Sequence, residues 1–381
     1  MMGLALSGGG FRATLFHLGS LWRLNEVGML PKMDAITSVS GGSIVSAYLG
    51  VKWSKLTFDT NGISTNFEEM IAKPIMDFCS RTIDVCTILL GIISPFHHPS
   101  DLLISKYKKY LYGNQTLQDL PSHGRGPLFT IYTTSMQTGV SVRFTKSYLG
   151  EYHLGTIANP NIKIAHAVAA SSGFPPPLCP VKLKIDKELW QRTTISDLFD
   201  DDELKSTLYM VDGGVYDNLG LEHLTKNCDI IFVSDAGAPF PIGRKIPGSR
   251  ISMIMRTKRT LDIISKQTRA LRVRNLIENY KSGTFKGAYW GIGTNIDEYP
   301  LQSQKLDPPL TNDNKITESL AEMRTRLNRF TPEEQGRLIN WGYALTDAAL
   351  RSRYDKNIAP ATQFPLLDYT IKSTELRDSE K

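Results

Sequence analysis

Apolar and polar residues follow two rhythms along this chain. The runs MMGLAL (residues 1–6) and AITSV (Ala35 to Val39) are short and nearly free of polar groups, the mark of buried strands. Between them Leu15, Leu18, Leu21 and Leu24 recur every third residue. Phe16 and Trp22 widen that stripe, which predicts a helix that Pro31 ends. GGSIVSAYLGVKW (Gly41 to Trp53) predicts a second helix directly after the second strand. Strand, tight turn and helix thus occur twice within the first 53 residues, which points to a parallel α/β sheet with covering helices.

Further along, residues 54–126 read as mostly helical, best over Phe67–Ser80 and Leu102–Tyr112, with the apolar run Val85–Ile93 between them. Residues 127–145 read as two strands turning near Gln137-Thr138-Gly139. KIAHAVAASSGFPPPL predicts a helix that ends at or before Phe174, because three prolines follow. The polar, acidic stretch Glu188–Thr207 reads as a surface excursion, and residues 208–211 and 229–237 as strands. Thr331, Pro332 and Glu334 form a helix start, with a capping hydroxyl, a proline at the first helical position and a carboxylate closing a capping box. The end of the chain from Thr370 is polar, and no internal repeat is present.

Composition narrows the class. A chain of 381 residues with 41% hydrophobic content can bury a large core. The four cysteines (Cys79, Cys86, Cys179, Cys228) form no CxxC pair, which favours free thiols in a reducing compartment over a zinc site. No leader pattern is visible at the start, and the nine residues Val85–Ile93 fall short of the roughly 20 that span a bilayer. A cytoplasmic protein is expected, either soluble or attached peripherally to the inner face of the membrane. The net charge of +6 is modest but uneven. Between Arg244 and Lys286 twelve basic residues face two acidic ones, a local balance of +10. Such a segment suits an anionic phospholipid membrane surface or a nucleotide-type small-molecule activator, and a solvated charged helix has the same composition. No nucleic-acid partner is expected.

Three short stretches carry candidate chemistry. Ser40 lies between a predicted strand and a predicted helix, with Ser38 and Gly42 two positions to either side, close to the G-x-S-x-G elbow that exposes a nucleophilic serine. The same Ser-Gly-Gly composition also suits an ordinary helix-capping turn. Gly8, Gly9 and Gly10 follow the first strand, and their spacing matches neither a nucleotide P-loop nor a dinucleotide fingerprint. Consecutive glycines do let backbone N–H groups converge on one point, as an oxyanion hole requires. Arg12 either orients that turn and raises its positive potential or sits on a helix surface. Asp212 ends an apolar strand and precedes Gly213 and Gly214. It is a base for a serine proton when partly desolvated, or one more Asp-Gly turn. Asp217 and Asn218 follow closely enough to orient that loop.

Taken in order, SGGGFRA (Ser7–Ala13), SVSGG (Ser38–Gly42), AVAASSGFPPPLCPV (Ala167–Val181) and VDGGVYDN (Val211–Asn218) resemble the patatin-like phospholipase family. The resemblance implies a three-layer α/β/α patatin-like fold with a mainly parallel central sheet, and a Ser–Asp dyad that needs neither histidine, metal nor cofactor. Carried over by position, Ser40 is the nucleophile and Asp212 the general base. Gly8, Gly9, Gly10 and Arg12 build the oxyanion hole, and Ser38, Gly42, Gly213 and Gly214 support the elbow and the base. Ser38 stands where the elbow has a glycine, and Ala13 where glycine is frequent. Residues 1–355 are then one catalytic domain, with a helical insertion or lid at 54–126 and the basic segment at 240–290, followed by a tail at 356–381. The implied activity is hydrolysis of fatty-acyl esters of membrane phospholipids through an acyl-enzyme. A soluble esterase or thioesterase of the same mechanism, and a catalytically silent lipid- or nucleotide-binding module, are the alternatives. His223 follows Asp212 in the order of a Ser-Asp-His triad, yet LEHLTK reads as a helix with a structural histidine. The apolar stretch Ile88–Phe96 either dips into lipid and covers an acyl channel or is a buried helix.

Overall fold

The computed structural model describes residues 1–83, 98–237, 239 and 253–371. The N-terminal half of the site is built by β1 (Met2–Leu6), α1 (Gly10–Glu26), β2 (Ala35–Val39) and α2 (Gly41–Lys52), the two strand-turn-helix units expected from the sequence. Next come α3 (Lys73–Cys79), α4 (Pro99–Tyr107), β3 (Leu128–Ser135), β4 (Ser141–Phe144), β5 (Tyr148–Glu151), β6 (Gly155–Ala158) and α5 (Ile164–Ser171). They are followed by β7 (Val181–Lys184), β8 (Trp190–Gln191), α6 (Asp202–Ser206), β9 (Thr207–Asp212), α7 (Gly214–Asp217), α8 (Glu222–Asn227) and β10 (Ile230–Asp235). The chain continues with α9 (Met253–Lys281), β11 (Lys286–Gly291), α10 (Lys315–Glu322) and α11 (Pro332–Ala349).

All the strands join one mixed sheet, in the order β11-β10-β1-β2-β3-β4-β5-β6-β8, with β9 pairing β3 and β7. From β11 to β3 every neighbouring pair is parallel, as two strand-turn-helix units require. Beyond β3 the pairing turns antiparallel, so the parallel sheet read from the sequence is the half that carries the site. Side chains alternate across the sheet with period two. Leu4, Leu6 and Phe232 join the core beneath α1, α2 and α11, whereas Ala5, Ile231 and Val233 join a second core with Leu224 of α8 and Leu276 of α9. Helices therefore cover both faces, giving three layers.

One register feature decides where the chemistry sits. On β3, Tyr132 pairs with Val39 of β2 and with Arg143 of β4, while Thr133 pairs with Asp212 of β9 and with Val142 of β4. Because β4 occupies one edge of β3 from Ile131 to Thr134, β2 and β9 share the other edge. They run toward each other and stop at adjacent β3 residues. Ser40 and Asp212, the residues at those two ends, are thereby brought together.

Two segments depart from the sequence reading. The stretch Glu188–Thr207 is not wholly a surface excursion. Trp190 is buried and its indole N–H donates to Lys205 O at 3.0 Å, while β8 extends the sheet alongside β6. One aromatic residue, outnumbered locally by charges, anchors the segment. α11 lies against α1 along a seam where Gly19 faces the Ile339 carbonyl and Gly342 faces the Phe16 carbonyl, so the two helices touch backbone to backbone. Buried Asp347 of α11 clamps the pair by accepting from Arg23 (2.7 Å) and Arg351 (2.8 Å). The capping box at Thr331–Glu334 forms as expected. Cys79, Cys179 and Cys228 are free thiols. The Val85–Ile93 and Ile88–Phe96 runs, Cys86, Arg244, Lys245, Arg250 and residues 372–381 of the polar tail lie outside the described residues. Among the described residues no helix is long and apolar enough to cross a membrane.

Candidate active site

Ser40 occupies a left-handed backbone conformation (φ 50°, ψ −117°) between β2 and α2. For a residue with a Cβ this region is strained, and it persists only where the surroundings enforce it. Ser171 at the end of α5 supplies part of that enforcement, its hydroxyl accepting the Ser40 N–H at 2.9 Å. Ser43 meets Ser171 Oγ at 2.9 Å and donates to Ser38 Oγ at 3.2 Å, and Ser38 Oγ in turn donates to Thr130 O at 3.4 Å. The extra hydroxyl at Ser38, where a glycine was expected, is thus absorbed into a serine network. Gly42 has backbone carbonyls of β1 at the position of a Cβ, so α2 starts in contact with the end of β1.

The Ser40 hydroxyl donates to Asp212 Oδ2 at 2.7 Å. The other carboxylate oxygen accepts the Gly214 N–H at 2.8 Å. The backbone of Asp212 is pinned as well, its N–H by Gly173 O (3.1 Å) and its carbonyl by the Thr134 hydroxyl (3.1 Å). Gly213 lies against the Tyr132 carbonyl and donates to Ser171 O at 3.1 Å. Burial raises the Asp212 carboxyl to about 6, against the opposing pull of the Ser40 and Gly214 hydrogen bonds. His223 takes no part in this arrangement. Its Nδ1 faces Asn227 on α8, and its backbone N–H donates to the Tyr132 hydroxyl.

The glycine turn wraps the other side of Ser40. A Cβ on Gly8 would lie 3.2 Å from Ser40 Cβ and collide with Asn218 Oδ1. Gly9 and Gly10 have φ of +147° and +60°, conformations that few residues other than glycine adopt. The expectation that all three glycine amides face the site is corrected at Gly8, whose N–H is already committed to Asn218 O at 3.0 Å. Among the described residues the amides of Gly9, Gly10 and Gly41 donate to no protein acceptor. Asp217 holds the following turn, accepting from Leu219 N and Leu221 N, so Asp217 and Asn218 do orient the loop.

Arg12 is fully buried, which overturns its reading as a helix-surface arginine. Its guanidinium donates to Ala236 O (2.5 Å), Met323 O (2.7 Å) and Ala321 O (3.2 Å). It binds carbonyls rather than pointing at the serine, and so ties the loop after β10 and the loop after α10 to the start of α1. Desolvation lowers Arg12 to about 10 and, on α9, Lys266 to about 8. The neighbouring cation Arg269 is neutralised by buried Asp235 at 2.6 Å.

A buried hydrogen-bond chain that no motif announces supports the same turn. The Trp290 indole N–H donates to Ser20 Oγ (2.9 Å), which meets Ser234 Oγ (3.1 Å), which meets His17 Nδ1 (2.8 Å). His17 Nε2 reaches Ser7 O at 2.9 Å, an oxygen that also accepts the Gly42 N–H. Burial pushes His17 down to about 4, so the ring is neutral at ordinary pH and donates through Nε2. The Ser7–Gly8 peptide is held at both ends, by His17 and Gly42 at its oxygen and by Asn218 at its nitrogen. Sequence reading missed Ser171, His17 and Ser234. Only a small-residue cluster in AVAASSG and one histidine within an apolar helix pointed toward them.

An end-on meeting of two strands, a left-handed serine, a buried carboxylate and a glycine turn with free amides define a class. The sequence matches the family described as Patatin-like phospholipase over residues 4–225, and the chain belongs to that family. Solved structures with similar shape include human GIVD cytosolic phospholipase A2, with 12% identity and a TM-score of 0.49 over 91% of this chain and 61% of that one. The same human enzyme in complex with methyl gamma-linolenyl fluorophosphonate matches with 13% identity and a TM-score of 0.49, over 91% of this chain and 57% of that one. VipD from Legionella pneumophila matches with 16% identity and a TM-score of 0.38, over 91% of this chain and 66% of that one. The chain therefore spans less than two thirds of the length of each. Among curated proteins no relative matches the sequence.

Proposed function

We propose that this protein is a serine lipid acyl hydrolase that cleaves fatty-acyl esters of membrane phospholipids. The observation that carries the proposal is the 2.7 Å hydrogen bond from the strained Ser40 hydroxyl to the desolvated Asp212 carboxylate. Ser40 Oγ attacks the ester carbonyl carbon while Asp212 Oδ2 takes its proton, and as the tetrahedral intermediate collapses Asp212 passes that proton to the leaving alkoxide, so that the alcohol departs, an acyl-serine remains and Asp212 is ionised again. Asp212 then takes a proton from water as the water attacks that ester, and returns it to Ser40 Oγ as the second tetrahedral intermediate collapses and the fatty acid leaves. The amides of Gly9 and Gly10 at the start of α1 and of Gly41 at the start of α2 are the donors for the oxyanion. Gly8 supplies room beside Ser40, and Arg12 positions the turn through the carbonyls it binds. His223 has no part in the reaction. Residues 1–355 act as one catalytic unit, since α11 seats directly on α1, and the start of the expected tail belongs with it, because Phe364 and Ile371 join the same core.

Turnover of a fluorescent phospholipid in vesicles and of a short p-nitrophenyl ester, by the unaltered chain, Ser40→Ala and Asp212→Asn, tests this. Each substitution is expected to lower kcat on both substrates by on the order of a thousandfold or more. His223→Ala is expected to remain within a few-fold of the parent. Turnover of the short ester alone would mark a soluble esterase. Full activity in Ser40→Ala, or no turnover of either substrate by the parent, would contradict the proposal.

A further inference from the structure

The helix α9 buries one side and leaves the other uncovered. Leu276 is buried, Val273 and Tyr280 pack on the second core, and Arg269 and Arg272 reach Asp235 and Asp217. On the opposite side Leu261, Ile264 and Leu271 are 53%, 57% and 59% exposed. At 100° per residue these three project within roughly 80° of arc, as one stripe nearly three turns long. Ile263, 44% exposed, lies about 80° further round the helix. Three large aliphatic side chains more than half exposed on one helix face are a different matter from the scattered apolar residues of an ordinary surface.

Charge decides what the stripe meets. The sequence of α9 carries eight basic residues and two acidic ones. Among the described positions flanking the stripe are Thr260, Ser265, Gln267, Arg272 and Arg274, with Glu278 as a carboxylate near its C-terminal end. A second copy laid along this face would set like charge against like. An anionic lipid surface is complementary to both features at once, accepting the aliphatic stripe below its headgroups and the basic residues among them.

We infer that the outward face of α9 is an interfacial membrane-docking surface, with Leu261, Ile264 and Leu271 as the inserting residues and anionic phospholipid as the partner. The inference deepens the hydrolase proposal and rests on it for what docking delivers. Arg272 contacts Asp217 at 3.4 Å and the Tyr216 ring, so α9 is tied to the turn that follows Asp212. A bilayer seated on α9 therefore has a fixed position relative to the dyad.

The test compares the full-length parent with a Leu261→Ser, Ile264→Ser, Leu271→Ser variant. Cosedimentation with vesicles of mixed phosphatidylglycerol and phosphatidylcholine is read beside turnover of a short soluble ester. The variant is expected to partition about a hundredfold more weakly onto vesicles, at roughly tenfold or less per side chain removed from lipid. It should lose turnover of vesicle phospholipid in proportion and keep the soluble-ester kcat. Parental binding should weaken with rising salt and on vesicles of phosphatidylcholine alone. Equal binding by parent and variant, or no binding by the parent, would overturn the inference while soluble-ester turnover left the hydrolase proposal standing. A parental dimer that the triple substitution dissociates, with no vesicle binding, would assign the face to a second copy instead. Vesicle binding without turnover of either substrate would sink the hydrolase proposal alone.

Discussion

At the scale of one residue, the burial of Asp212 bears both on the proposed chemistry and on stability. Its carboxyl titrates near 6 because burial disfavours the charge. As the proposed general base it must be ionised, so kcat/KM on a soluble ester should rise through a single ionisation near 6 and level off above it. An alkaline-only profile with its midpoint several units higher would place the base elsewhere. The same shift has a thermodynamic sign. The folded state holds the proton more tightly than an unfolded chain, where aspartate titrates near 3.9. That advantage is complete below the unfolded value and is lost as pH rises through 6. Above 6 the ionised carboxylate opposes folding by up to about 3 kcal/mol. Asp212→Asn keeps an acceptor for Gly214 and a partner for Ser40 without the charge. It should raise the Tm well above pH 6 and lose that gain near pH 4, as thermal unfolding at the two pH values will reveal. Ser40 and Asp212 were legible in the sequence because each sits in a turn whose own neighbours, Gly41-Gly42 and Gly213-Gly214, declare it. Ser171 and His17 were not, because their partners, Ser40 and Ser234, lie 131 and 217 positions away and only folding joins them.

Elements explain why the two turns coincide. β2 and β9 share one edge of β3 and end at adjacent residues of it, a register that no local pattern encodes. The sequence does show each strand and each glycine pair, so the elements were legible while their head-on approach was not. The antiparallel extension through β4, β5, β6 and β8 was half visible, since the hairpin turn at Gln137-Thr138-Gly139 is local and the β6–β8 pairing is not. Arg12 belongs to this scale, joining α1 to the loops after β10 and α10 through three carbonyls. A lysine there offers the charge without the planar fork. Arg12→Lys is expected to reduce kcat on the short ester on the order of a hundredfold with little change in KM, because the amides of Gly9 and Gly10 shift while substrate contacts stay. Steady-state kinetics on a folded variant checks this, and a raised KM at constant kcat would assign Arg12 to substrate binding.

Across the whole molecule, the site is completed by chain that lies beyond the family match. Arg326 O accepts the Phe11 N–H at 3.1 Å, and Thr325 closes over Gly10. α11 covers α1, and the main core runs from Leu4 to Ile371. None of this C-terminal packing carried a functional signature in the sequence. The capping box at Thr331 announced a helix but not the surface it covers. The same layout leaves α9 as an outer wall with Leu261, Ile264 and Leu271 exposed, tied through Arg272 to Asp217. The proposed nucleophile is one hydroxyl at the meeting of two strands, and a fluorophosphonate reports on it directly. After reaction with the full-length protein, peptide mapping by mass spectrometry should find a single adduct on Ser40. It should be absent from Ser40→Ala and formed far more slowly by Asp212→Asn. An adduct on a different residue, or undiminished labelling of Ser40→Ala, would contradict the Ser40–Asp212 dyad.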